Sequence, residues 1–351
     1  MIFNYQFFLV ALFVLCLILS LLINHIMLRF AQTLGIRNRN NTEIRWNPET
    51  KPALGGISFF VIFLIAFILS VLVPVGEHEL SIRMIGVLIA STLAFLMGLA
   101  DDAFNTEPLL KLFTQIFCGL VVIFCGHSIA IFDNSLLNYA LTVLWVVGLM
   151  NSINMLDNMD GISSIVSMIA CSFMILVTLQ ENGPYSYMTI LNLGVLGALC
   201  GFLFYNFHPS KMFMGDTGSQ FLGFFLAVMG IDNCWNNPGA AQAESFPFAN
   251  ILVVLLVFLL PLTDTTTVVI NRLAKGTSPF VGGKDHTTHH LFFRGIAEKR
   301  IAILYFLIGS SAMWLAYQIS YHYSDVVLWT GMGLAVIVFL SLYLNTILRK
   351  K

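Results

Sequence analysis

Eleven mainly apolar stretches, each near the length that crosses a bilayer as a helix, divide this chain. They lie at roughly 6–28, 53–73, 81–99, 109–126, 139–155, 162–180, 187–206, 218–234, 249–270, 301–319 and 326–347. A helix needs about 20 residues to span the hydrocarbon core, and in lipid it must satisfy its own backbone hydrogen bonds. The first stretch is too long for the apolar region of a cleaved signal peptide, and it lacks a basic leader and an A-x-A-like site. Composition agrees: 58% of the 351 residues are hydrophobic and 10% are charged, where soluble domains average about 25% charged. Such a chain cannot cover a water-facing surface of ordinary polarity, which excludes a soluble enzyme and a disordered chain. A nucleic-acid binder would need a basic surplus, and the formal net charge is -1.

The few cations set an orientation. With eleven crossings, 16 of the 17 Lys and Arg residues share one side, and Arg83 falls on the other. The positive-inside rule makes the shared side cytoplasmic. The expected fold is therefore all-α: a polytopic membrane helix bundle of about 11 transmembrane helices, N-terminus outside and C-terminus cytoplasmic. One domain, 1–351, is expected. Its connections 29–52, 100–108, 156–161, 207–217 and 271–300 would form the active-site face. The six cysteines sit in apolar text without a C-x-x-C pair and read as small buried hydrophobes.

The acids are the informative residues. Asp133, Asp232 and Asp325 fall in outer connections and read as solvated loop charges. Several others sit at the cytoplasmic ends of helices, where acids are costly. Asp101 and Asp102 close an apolar helix, whose C-terminus already carries partial negative charge. An acid at bilayer depth costs about 2.5–3.5 kcal/mol, so a compensating cation is expected nearby. In Asn151-Ser-Ile-Asn154-Met-Leu-Asp157-Asn158-Met-Asp160-Gly161, oxygen-bearing side chains recur every three residues along one curved helical strip. Carboxylate and amide oxygens suit a hard cation such as Mg²⁺. Met214-Gly215-Asp216-Thr217-Gly218-Ser219 opens a helix; its residues suit N-capping, and its glycines would let backbone N–H groups meet an anion. Lys284-Asp285-His286-Thr287-Thr288-His289-His290, with Arg272, Lys275 and Arg294 nearby, resembles a phosphate clamp. His286 and His290 would share a face of a helix. Asp264 lies inside the ninth stretch, with a functional role, a pairing with Arg272 or a helix-packing hydrogen bond open to it.

Together these motifs resemble the polyprenyl-phosphate N-acetylhexosamine-1-phosphate transferases, glycosyltransferase family 4. The matching pieces are Lys51-Pro-Ala-Leu-Gly-Gly56, Asp101-Asp102, the row 151–161, the 214–219 segment and the late histidine loop, in family order over most of the chain. The eleven stretches suit the sugar-transferase branch, which starts O-antigen, common-antigen and teichoic-acid type glycans. The resemblance implies that a membrane polyprenyl (undecaprenyl) phosphate attacks the β-phosphorus of a UDP-N-acetylhexosamine, most simply UDP-GlcNAc, and releases UMP. Mg²⁺ is the implied cofactor, with Mn²⁺ as the alternative. Asp216 is the implied metal ligand, with Asn154 as a second. Asp101 or Asp102 would orient or deprotonate the lipid phosphate, and Asp157 and Asp160 would hold the nucleotide-sugar. His289 and His290 would grip its phosphates with Lys284 and Arg272; Lys51 and Asn151 complete the substrate-binding set. The site would face the cytoplasm from a bacterial inner membrane, with lipid as the surrounding partner, no nucleic acid, and a homodimer as one assembly.

Three departures accompany the resemblance. The branch usually reads H-x-H-H, whereas this chain reads His286-Thr-Thr-His289-His290, which leaves His286 and Asp264 without an assigned role. Asn158 stands where many members carry Gly. The P-x-H-H-H pattern of the peptidoglycan branch is missing, which ranks phospho-N-acetylmuramoyl-pentapeptide transfer second. A CDP-alcohol phosphotransferase would share Asp157-x-x-Asp160-Gly161, but its further A-R and G-x-x-x-D-x-x-x-D pattern does not follow. A lipid-linked sugar transporter would place its polar residues near mid-membrane, often in repeated halves. Here they crowd one face.

Overall fold

The computed structural model describes residues 5–33, 51–72, 80–241, 248–279 and 282–348. Part of the basic connection 29–52, with Arg37, Arg39 and Arg45, lies outside these residues, as do Glu77, Glu79, Glu244 and the last three residues. The described chain is helical: α1 Tyr5–Thr33, α2 Gly55–Leu72, α3 Ile82–Phe104, α4 Pro108–Phe124, α5 Ser135–Leu156, α6 Ile162–Glu181, α7 Tyr187–Asn206, α8 Gly215–Gly230, α9 Pro238–Ala241, α10 Phe248–Val257, α11 Leu259–Ala274, α12 Thr287–Phe293, α13 Glu298–Tyr321 and α14 Asp325–Ile347. Each of the eleven apolar stretches falls on a helix or helix pair. Eight of these helices are long and apolar enough to cross a membrane.

The others depart from a plain span. α4 is apolar but has only 17 residues. α8 has 16 and is prolonged by a π-helical turn, Ile231–Trp235. The ninth stretch, expected as one helix, is two, α10 and α11, bent by 83° at Phe258. Pro261 explains the position of the break. It has no N–H for the carbonyl of Val257, and its ring would clash with that carbonyl, so the first helix ends at Val257.

Every residue of α8 from Thr217 to Gly230 is buried, and α2, α3 and α5 pack around it. Phe60, Phe63, Phe221 and Phe225 meet between α2 and α8 at centroid distances of 5.4–6.1 Å. The outer surface is as apolar as the core: Phe113, Phe117 and Phe124 on α4 are all exposed. Lys111 and Gln115 of the same helix turn inward, so the outward face of α4 is apolar, as a lipid solvent requires.

Small residues bring backbones together at the end of α8. A Cβ on Gly98 of α3 would lie 2.2 Å from the carbonyl oxygen of Asp216, and one on Gly56 of α2 would lie 2.1 Å from the nitrogen of Gly218. α3 and α2 can therefore touch the backbone of α8 where its acidic first turn begins.

At the other end of the bundle Asp232 is not a solvated loop charge. It accepts hydrogen bonds from Arg83 at 2.9 Å and His127 at 2.7 Å, with His127 fully buried. The π-helical turn carries this carboxylate to the start of α3, where it neutralises the cation that departs from the one-sided pattern.

Gly98→Ala should push α3 off α8 and destabilise the protein by about 1–3 kcal/mol, the usual cost of overpacking. Gly148→Ala, at a site with nothing within 4 Å of an added Cβ, is the control and should be neutral. Thermal unfolding in detergent measures both; equal melting temperatures would refute the close-approach argument.

Candidate active site

The site starts from a lysine that the motif reading passed over. Lys111, in the first turn of α4, places its Nζ 2.7 Å from an oxygen of Asp101 and 2.8 Å from one of Asp216. α3 and α4 are antiparallel neighbours joined by a short turn, so the cation at the start of α4 faces the acids at the end of α3. Asp101 also accepts from the backbone N–H of Thr106 at 3.0 Å and from its hydroxyl, which shapes that turn. This is the compensating cation that two acids at a helix C-terminus demand.

Asp102 points the other way and caps α8. Its carboxylate accepts from Asp216 N–H at 2.9 Å, Thr217 N–H at 2.8 Å and the Thr217 hydroxyl at 2.6 Å. The α8 N-terminus suits both capping and an external anion by sequence; in the structure the Asp102 carboxylate takes the N–H groups of Asp216 and Thr217. Gly215 permits this. Its φ is +76°, and a Cβ there would sit 2.7 Å from Asp102 Oδ2.

Asn154, near the end of α5, donates from Nδ2 to Asp216 Oδ1 at 2.6 Å and to Ser219 Oγ at 2.8 Å. One turn earlier Asn151 donates to Gln115 at 2.8 Å, and Gln115 donates to Gln220 at 3.0 Å. Asn151 is thus a strut between α4 and α5, one turn deeper than the acids. Asp157 caps the C-terminus of α5 with its backbone N–H. Its half-buried carboxylate has no hydrogen-bond partner among the described residues. Desolvation, then the charges of Asp216, Asp160 and Asp102, push its carboxyl up to about 8. Asp160 is buried and spends its carboxylate on the 207–213 loop, accepting from Ser210 N–H at 2.9 Å, the Ser210 hydroxyl at 2.8 Å and His208 Nδ1 at 3.2 Å. His208 Nδ1 also meets Glu298 at 2.9 Å, which ties this loop to α13. Lys51 reaches the same loop, 3.3 Å from the Ser210 hydroxyl and over the Phe213 ring.

The histidine segment joins through Asn158, whose Oδ1 accepts from the Thr288 hydroxyl at 2.6 Å. His289 is buried beside His286, with ring centroids 5.2 Å apart. Burial and then the neighbouring His286 push it down to about 4, so it is neutral at pH 7. His290 lies edge-on to Phe293, and Lys284 is exposed. Arg272 is buried and gives two hydrogen bonds to Asp285, at 2.8 and 2.7 Å. Burial opposes the charge on Asp285, but this guanidinium holds its carboxyl below the usual range. The Arg272 fork is therefore committed to bracing the loop. Asp264 does not pair with Arg272; it meets His286. α12 begins at Thr287, so His286 precedes the helix and does not share a helical face with His290.

The structure thus gathers Asp101, Asp102, Asn154, Asp157 and Asp216 with Thr217 and Ser219 of the 214–219 segment, and adds Lys111, which the motifs do not include. Lys111 carried a signal: it is the cation nearest in sequence after two unpaired acids. The gathered donors are carboxylate and amide oxygens, with Lys111 the ammonium that bridges two of the carboxylates. Thiolates are not among them. That set, and the upward push on Asp157 from its acidic neighbours, fits a hard divalent cation. Asn154 presents its nitrogen to Asp216, so for both to hold one ion its amide must turn over.

Residues 84–233, which carry most of this cluster, match the family model described as glycosyl transferase family 4. The chain is 27% identical over 307 residues to a probable undecaprenyl-phosphate N-acetylglucosaminyl 1-phosphate transferase of Bacillus subtilis, covering 85% of this chain and 81% of that one. It is 26% identical over 325 residues to a decaprenyl-phosphate N-acetylglucosaminephosphotransferase of Mycolicibacterium smegmatis, covering 86% and 80%. It is 30% identical over 288 residues to a phospho-N-acetylmuramoyl-pentapeptide-transferase of Carboxydothermus hydrogenoformans, covering 73% and 81%. Motifs, helical architecture and these matches place the chain in glycosyl transferase family 4, the polyprenyl-phosphate N-acetylhexosamine-1-phosphate transferases.

Proposed function

We propose that the protein transfers N-acetylglucosamine 1-phosphate from UDP-GlcNAc to a membrane polyprenyl phosphate, with Mg²⁺ bound at Asp216. The observation that carries this reading is the Lys111-bridged pair Asp101–Asp216, set beside the unpartnered carboxylate of Asp157 at the ends of apolar helices. A phosphate oxygen of the lipid forms a bond to the β-phosphorus of the donor; the bond from that phosphorus to the bridging oxygen breaks, and UMP leaves. Phosphoryl transfer depends chiefly on positioning and on stabilising charge. Mg²⁺, when bound, would screen the diphosphate.

The chain's own groups divide the remaining work. Lys111 holds Asp101 and Asp216 in place and adds a positive charge where phosphate oxygens gather. Asp102 keeps the first turn of α8 in register. Asp157 is the carboxylate in the cluster that can receive a proton from the lipid phosphate. Asp160, through Ser210, fixes the 207–213 loop against Lys51, a wall for the nucleotide. Neutral His289 serves as a hydrogen-bonding group beside His290, while Lys284 supplies charge from the preceding loop. The runner-up is transfer of phospho-N-acetylmuramoyl-pentapeptide, which the 30% identity to the Carboxydothermus transferase favours. The setting we propose is a bacterial inner membrane, with the site and the connection 271–300 on the cytoplasmic side.

Purified protein should release UMP from UDP-GlcNAc only with both Mg²⁺ and polyprenyl phosphate present. Release from UDP-MurNAc-pentapeptide alone would promote the runner-up. Asp216→Asn and Lys111→Met should each lose on the order of 10²-fold or more in turnover, as when a charge-stabilising donor is removed; near-normal rates in either would overturn its assignment.

Asp157→Asn should abolish turnover yet stabilise the metal-free protein at alkaline pH. The folded-state pKa of about 8 lies above the ordinary value of 3.8, so the native state binds the extra proton and its stability falls as pH rises through that window. Melting curves in EDTA should therefore show the variant gaining on the wild type from pH 4 to pH 8.5. A constant gap would contradict the shift. For topology, a cysteine replacing the exposed Ser278 should resist impermeant thiol reagents in intact cells and react in inverted vesicles.

A further inference from the structure

The acid inside α11 and the displaced histidine have no place in the chemistry above, yet they are joined. Asp264 is fully buried, and three donors meet its two oxygens. His286 Nδ1 lies 2.8 Å from Oδ2, Thr287 N–H donates to Oδ1 at 2.8 Å, and the Thr287 hydroxyl donates to the same oxygen. The hydroxyl of Tyr305, from α13, closes on Thr287 Oγ1 at 2.7 Å. His286 is the N-cap residue of α12, but its side chain makes no capping bond to its own helix. The cap comes instead from Asp264, on the helix beyond the 83° bend. Three helices are thus pinned at one carboxylate.

We infer that Asp264 and His286 are positioning residues of the transferase site: Asp264 fixes His286 in the Nδ1–H tautomer, and the pair sets where α12 presents Thr288 and His289 to the acidic cluster. Asp264 already accepts at Oδ1 from Thr287, so at Oδ2 its carboxylate accepts again, and the proton of that bond resides on Nδ1. The His286 ring then stands edge-on to His289, and Thr288, the residue before His289, bonds Asn158 beside Asp157. A buried carboxylate that orients an imidazole is a familiar arrangement, and replacing it by an amide keeps the shape while reversing the tautomer. The essential contact of His286 is its Nδ1 donor, not Nε2. An asparagine side chain can offer Nδ2 at nearly the same place, whereas alanine offers nothing.

This inference rests on the transfer reading above for its kinetic readout and not for its spectroscopic one. Nitrogen-15 spectra of histidine-labelled protein, assigned with His286→Asn, should show His286 protonated at Nδ1 in the wild type. Asp264→Asn should move the proton to Nε2. kcat/KM for UDP-GlcNAc should fall about tenfold or more in Asp264→Asn and His286→Ala, as for lost orienting contacts, and His286→Asn should recover to within about threefold of the wild type. A melting temperature of Asp264→Asn close to the wild type, with lost turnover, separates positioning from mere stability. Failure of His286→Asn to recover would mean that Nε2 is used, and unchanged turnover in His286→Ala would mean that the ring is idle; either overturns the inference. If Asp264→Asn does not fold, the His286→Asn and His286→Ala pair decides alone. If the wild type turns over no UDP-GlcNAc, the substrate reading fails, and an Nε2-protonated wild-type His286 would separately overturn the positioning one.

Discussion

One ammonium between two carboxylates organises this molecule. Lys111 Nζ lies within 2.8 Å of both Asp101 and Asp216, on helices that would otherwise bring like charges together in apolar surroundings. Removing one partner from a buried ion pair typically costs about 3–5 kcal/mol, because the other charge is left uncompensated. Here the loss would be shared by three helices: the C-terminal end of α3, the first turn of α4 and the N-terminal end of α8. The helix dipoles make the arrangement asymmetric. Asp216 sits at a helix N-terminus, where a negative charge is welcome, and Asp101 at a C-terminus, where it is not. The lysine therefore compensates Asp101 first, and its reach to Asp216 locks the two helix ends into register. Asp102 completes the lock by capping α8.

The apolar packing serves this junction. α8 is buried from Thr217 onward, and the glycines that let α2 and α3 touch its backbone lie within a turn of the acids. In lipid, burying an apolar face gives little drive to helix association, so close backbone packing and interhelical hydrogen bonds carry more of it. The Asn151–Gln115–Gln220 ladder and the Asn154–Ser219 bond are such contacts. At the far end of the bundle, the Arg83–Asp232–His127 group plays the corresponding role for the start of α3 and the π-helical end of α8.

The sequence carried the elements and the chemistry better than the pairings. Runs of apolar residues marked each long helix, though not the short α9 and α12, because lipid and core demand the same residue types. Periodicity could not reveal the break at Phe258, since the apolar run continues across it from Val257 to Leu260; Pro261 was the sign. The motif acids were legible as a group, because acids at the ends of apolar helices need a reason. Their partners were not. Nothing local says that Asp102 turns to α8 while Asp101 turns to Lys111, or that Asp264 takes His286 and leaves Arg272 to Asp285. Those choices depend on helix rotation, which packing sets at long range. Asp232 escaped the sequence for the same reason: the residues that hydrogen-bond it are 149 and 105 positions away.

Asp157 shows where stability and function part. Its carboxylate has no hydrogen-bond partner among the described residues, is partly desolvated and lies near three other acids, so ionising it opposes the fold. An asparagine would remove that cost, and its neighbour Asn158 shows that this turn accepts an amide. Asp101, Asp102, Asp160 and Asp264 are each held by donors that keep a helix end or loop in place, so their charges contribute to architecture. Asp157 contributes none of that. A group that weakens the fold and braces nothing is placed for what binds there: beside the cation proposed at Asp216, it is the carboxylate of the cluster left without a hydrogen-bond partner among the described residues, and the phosphates proposed for this site would meet it there.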